Sequence, residues 1–206
     1  LSHAKGKSKS ESGRLKTLAV FATVGLTSAA ASVAAITEGS ATGANALAIG
    51  TNSQASGDSA VAVGINAKTN GNRAVAVGSG TSASKDDAAA FGSAAGVATQ
   101  NSVAIGKSAS VREATAGKLA SAGVDVKTAD TTTGSGSVAV GANSKAFGTN
   151  ATAVGQSSNA LGQNSFAGGQ VAKAYGKSSV AVGDGAVATN DVAAAVGTSS
   201  RATAGG

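Results

Sequence analysis

Asn101-Ser102-Val103-Ala104-Ile105-Gly106 decides how this chain folds, because its pattern returns along most of the 206 residues. A Gly closing a short apolar stretch falls at 50, 64, 78, 92 and 106. After a pause of 35 residues the beat resumes at 141, 155, 169, 183 and 197. A repeat at fixed spacing is the signature of a stacked solenoid, in which no unit buries its apolar face alone. The repeat is therefore a structural coil before it is anything else.

Counting each recurrent Gly as position zero, position −2 is Ala in all ten units, from Ala48 to Ala195. Position −4 is Ala or Ser, +3 is Ala, Ser or Thr, and +5 is Ala, Val or Thr. Period-two alternation is a strand signal. Fourteen residues accommodate two strands of about five residues and two tight turns, a flat coil with little internal volume. The small set at −4, −2, +3 and +5 is accordingly assigned to the inside.

The outside then carries a ladder at −3 and −1: Leu47, Ile49, Val61, Val63, Val75, Val77, Phe91, Val103, Ile105, Val138, Val140, Val154, Phe166, Val180, Val182 and Val196. Stacked, these make an apolar stripe larger than a soluble monomer normally exposes, which calls for self-association. Where a Phe enters, its neighbour shrinks: Phe91 sits two residues from Ala89, and Phe166 two residues from Gly168. Close packing in a shared volume requires that exchange. Gly at +7 (57, 71, 148, 162, 176) and Asn at +2 (52, 66, 143) are expected to form the turns, since both tolerate positive φ.

Composition narrows the function. The chain has 30 Gly, one Tyr, four Phe, and no Pro, Cys, Met or Trp, so its core is thin and disulfides and thiolate metal sites are excluded. Of 16 Lys and Arg, five lie in residues 1–35 against Glu11; the remaining 11 basic and nine acidic residues give the repeat region a net charge of only +2. Nucleic-acid binding wants a basic patch with stacking aromatics, and neither is expected here. His3 is the sole His, so outside the first 35 residues neither a Ser–His–Asp nor a Cys–His scheme is available. Asp86-Asp87 reads as a solvated turn, and no Asp recurs at a calcium-ladder spacing. Asn150-Ala151-Thr152 fits a glycosylation pattern, but its Asn belongs to a repeat and reads as structural. The chain is expected to be no enzyme and to hold no cofactor or metal.

Residues 1–35 read as a secretory signal: basic through Lys16, apolar from Thr17 to Leu26, then small residues with cleavage positions near Ser32-Val33-Ala34 or Val33-Ala34-Ala35. Leu18–Ala35 approaches the minimum length of a membrane anchor, but its Ala, Ser and Thr make it weak for that role.

With these residues in view, the chain resembles the heads of trimeric autotransporter adhesins, the YadA-like heads. Asn101–Gly106 matches their SVAIG-type repeat, and Ser144-Lys145-Ala146-Phe147-Gly148 and Ala172-Lys173-Ala174-Tyr175-Gly176 match the Ala-x-Ala-x-Gly element of the following turn. Residues 43–206 carry the resemblance, and Leu1–Lys16 looks like the tail of an extended signal peptide. The resemblance implies an all-β, left-handed parallel β-roll over residues 36–206, packed as a homotrimer, the Val/Ile ladder forming the trimer contact. It also implies display at the bacterial outer membrane and attachment to host cells or to matrix proteins such as collagen and fibronectin. Such proteins continue into a coiled-coil stalk and a membrane barrel, so this sequence is expected to be the N-terminal portion of a longer protein. A structural spacer or autoaggregation module without a host ligand is the alternative. Ice binding would require a Thr-x-Thr ladder, and a β-helical acyltransferase a hexapeptide beat; the repeats contain neither.

Two further features are candidates for ligand binding. An insertion at about 112–134 interrupts the repeat, either as a binding loop or as a tolerated excursion. Phe147, Leu161 and Tyr175 recur at +6 in successive units, an aromatic–aliphatic ladder placed either to grip a ligand or to pack on a neighbouring subunit.

Overall fold

The computed structural model describes residues 39–112 and 135–203, so the predicted signal segment and nearly all of the insertion lie outside the described residues. Each coil carries one three-residue strand, such as Val61–Val63, and one two-residue strand, such as Lys68–Thr69. The former stack into a ten-stranded sheet and the latter into an eleven-stranded sheet. All pairings are parallel and one coil apart, as in Val61↔Val75, Ala62↔Ala76 and Val63↔Val77. The described chain is an all-β parallel solenoid of about ten coils.

The strands are shorter than the five residues expected from the period, because turns consume most of each coil. The backbone ladder nevertheless continues around the corners. The amide of Gly64 donates to Ile49 O at 2.8 Å, that of Asn66 to Thr51 O at 2.9 Å, and that of Arg73 to Asp58 O at 2.8 Å. Turn amides thus find partners one coil away instead of going unpaired.

Inside the coil, the small columns sit where the alternation puts them. Ala62, Ala76, Ala90, Ala104, Ala139, Ala153, Ala167 and Ala181 at −2 have no exposed surface, and the −4, +3 and +5 residues are buried in every coil but the terminal ones. Several hydroxyls admitted to this interior bond locally: Ser144 Oγ donates to Gly141 O, Ser158 Oγ to Gly155 O and Thr81 Oγ1 to Gly78 O, each at 2.9 Å. Burying methyl groups stabilises each coil only slightly, so cohesion comes from stacking many coils.

Turn geometry departs from the sequence expectation in two ways. Left-handed φ occurs at zero (Gly64, 128°), at +2 (Asn66, 57°) and also at +9 (Arg73, 55°), a column for which no role was expected. The +7 glycines, by contrast, do not have positive φ. A Cβ on Gly162 would lie 2.0 Å from the carbonyl oxygen of Gly176 in the next coil, so Gly is required there for close approach, not for dihedral freedom.

The insertion leaves the stack in phase. Val103 pairs with Val138 and Ser110 with Lys145, so the coils on either side of residues 113–134 meet as neighbours.

Candidate functional site

No cluster of metal-ligating residues exists among the described residues, and no described helix is long and apolar enough to cross a membrane. What the fold presents instead is two outward faces. On the ten-stranded sheet the −3 and −1 side chains alternate with the buried Ala column, so each strand reads partly exposed, buried, partly exposed. Leu47, Ile105, Val154, Val182 and Val196 are exposed, the last at 70%. Ile49, Val61, Val63, Val75, Val77, Val103, Val138, Val140 and Val180 are half-buried by their own neighbours in the column.

Phe91 is in register with Val77 below and Ile105 above, and both Phe91 and Phe166 are 38% exposed. The Phe166 ring lies over Gly168: a Cβ there would stand 2.7 Å from its Cε1. The exchange of volume between −3 and −1 is thus a physical contact in this coil.

The eleven-stranded sheet presents a different surface. Its outward residue, at +4, is Gln54, Lys68, Ser82, Gly96, Ser110, Lys145, Asn159, Lys173, Val187 and Arg201 in successive coils. The basic residues of the repeat region include four in this one column, no two of them in adjacent coils.

Carboxylates gather on the turns, where they replace missing ladder bonds. Asp58 Oδ1 accepts from Ala44 N at 2.9 Å, Asn72 Oδ1 from Asp58 N at 3.0 Å, and Asp86 Oδ1 from Asn72 N at 2.8 Å. Asp191 Oδ1 likewise accepts from Lys177 N at 2.7 Å. Asp87 takes both Nε and Nη2 of Arg73 at 2.7 Å, and those hydrogen bonds hold its carboxyl below the usual carboxylate range. Asp86-Asp87 is a turn, as expected, but one that is hydrogen-bonded to the preceding coil. Asn150 belongs to the +9 column with φ of 54°, and its amide reaches Asn164 Oδ1 at 3.4 Å.

The +6 ladder stacks as expected: the amides of Phe147, Leu161 and Tyr175 each donate at 2.9 Å into the next coil. It is not an exposed stripe, however. Leu161 is 2% and Tyr175 9% exposed, while Phe147 is partly covered. Burial pushes the Tyr175 phenol above its ordinary pKa. Exposure at a turn depends on which side chains stand above and below, and a one-dimensional period does not report that.

The YadA head domain repeat matches the chain over residues 41–67, 55–81, 83–109, 133–158, 148–172 and 174–200. The chain belongs to the YadA head family. Its matches leave residues 110–132 uncovered, where the insertion interrupts the beat. The crystal structure of the collagen-binding domain of the Yersinia adhesin YadA aligns at 32% identity with a TM-score of 0.55, covering 70% of this chain and 69% of that one. No curated protein matches significantly. The small interior columns and the outward Val/Ile ladder are therefore those of an adhesin head.

Proposed function

We propose that this chain is the head of a trimeric surface adhesin that attaches bacteria to host matrix, with a collagen-type protein as its ligand. The observation that carries the reading is the predominantly apolar outer face of the ten-stranded sheet, from the coil of Leu47 to that of Val196, in a chain of the YadA head family. Three copies meeting through Val63, Val77, Ile105 and their column mates would remove that surface from water, at roughly 25 cal/mol per Å2 covered. Residues 1–35 serve as the tail of an export signal, and residues 36–206 fold as the displayed head. Repetition along the rod and threefold copy number turn weak single contacts into avidity.

Residues 36–206 should have three times the chain mass in solution and be retained on immobilised collagen. A monomeric mass would break the assembly reading. A trimer that binds neither collagen nor any other matrix protein or host cell would leave a spacer in its place.

A further inference from the structure

The outer face of the eleven-stranded sheet is not used by the proposed trimer contact, and its charges are segregated. Flanking the +4 column, the +2 and +6 columns complete this face. Across all three there is no Asp or Glu among the described residues, whereas Lys68, Arg112, Lys145, Lys173 and Arg201 are present. Four of the five described carboxylates sit on turns and are engaged, three by backbone amides and Asp87 by Arg73. Among the described residues, no carboxylate is ion-paired with a cation of this face.

Lys145, Lys173 and Arg201 occupy alternate coils, with Asn159 and Val187 between them. In-register stacking sets them about 9.6 Å apart along a straight line of about 19 Å. That spacing exceeds the Debye length of about 8 Å at physiological salt, so each cation needs its own anionic group close by.

We infer that this column is a docking track for a sulfated glycosaminoglycan, running along the rod axis. A linear polysaccharide with anionic groups repeated along its length can meet Lys145, Lys173 and Arg201 in turn. Along the column Lys145 stands between Ser110 and Asn159, and Lys173 between Asn159 and Val187. Single-stranded nucleic acid fits less well, because stacking on successive bases needs a row of exposed aromatics, and beside these cations Tyr175 is buried and Phe147 is partly covered. The inference rests on the adhesive reading and names a second ligand class for the same head, on the face opposite the proposed assembly contact.

Immobilised heparin tests it, at about physiological salt, with collagen in parallel. Wild type should be retained on heparin and released by added salt. The triple variant Lys145→Gln, Lys173→Gln, Arg201→Gln should bind about tenfold more weakly or worse, since three separate contacts are lost together. A control with the same net charge, Lys85→Gln, Lys107→Gln, Lys177→Gln, alters turn residues and should keep most of the binding; unchanged mass and thermal unfolding show that both variants are folded. Equal loss in the two variants, or equal retention on single-stranded DNA, overturns the inference. Wild type that binds collagen but not heparin also overturns it and leaves the adhesive reading standing. Wild type that binds neither ligand nor any matrix or host surface breaks that reading itself.

Discussion

The two outer faces are made by the same coils, yet they differ in almost every property. On the ten-stranded sheet, two outward positions per coil are mostly Val, Ile, Leu or Phe. On the eleven-stranded sheet, one outward position per coil is mostly Ser, Asn, Gln, Lys or Arg. Strand length explains part of the difference. A three-residue strand with its centre buried shows two side chains, and a two-residue strand shows one. The first face is mostly apolar, the kind of surface that marks an interaction site, and the second is compatible with water. One interior of alanines thus supports a mostly apolar outer face and a mostly polar one.

The comparison breaks most readily by charge. Val63→Asp with Val77→Asp should abolish the proposed trimer, because each carboxylate buried unpaired in that contact would cost several kcal/mol. Ser82→Asp with Ser110→Asp, on the other sheet, should leave the mass in solution unchanged. Equal loss of assembly in both variants would show that the two faces are not distinct in this way.

Glycine offers a smaller contrast. Gly168→Ala drives a methyl toward the Phe166 ring, which must swing outward; a loss of about 1 kcal/mol in thermal unfolding is expected. Gly96→Ala meets nothing within 4 Å and should be neutral or stabilise by roughly 0.4–1 kcal/mol. Away from both faces, Val192 holds a φ of 60° that β-branched residues disfavour. Val192→Asn should raise stability by about 1 kcal/mol, visible as a higher unfolding midpoint.

The smallest effect concerns the lone tyrosine. Burial raises the Tyr175 phenol above its unfolded pKa, so the folded state binds the proton more tightly. Its stabilising term is complete below the unfolded pKa near 10 and fades as pH rises through the folded one. Ultraviolet titration should follow this group alone, with a midpoint above that of the denatured chain. A midpoint equal to that of the denatured chain would place the ring in water.

Much of this architecture was legible because period-two alternation fixes the side on which each residue lies. Ala62 and Ala76 had to be inside once their Val neighbours were outside. The register followed from the spacing alone, and it holds across the insertion. Turn stereochemistry was less legible. Asn45, Asn101, Asn150 and Asn164 at +9 signal a left-handed residue, but Arg73, Asp87 and Val192 in the same column obscure it. The +7 glycines were recognised as turn residues for the wrong physical reason, since close approach between coils leaves no dihedral trace in sequence. Burial of Leu161 and Tyr175 depends on stacked neighbours, and a net charge summed over all sides of the coil does not report that Lys145, Lys173 and Arg201 share one column.

The in-phase junction between Val103 and Val138 carries an evolutionary consequence. Duplication or loss of one whole coil would lengthen or shorten the rod by about 4.8 Å and leave every remaining contact intact. A gain of a single residue inside a strand would turn each valine of that coil inward and each alanine outward. Recombination within such a gene therefore has a natural quantum of fourteen codons, or else an extrusion at a turn that leaves the count of the strands untouched.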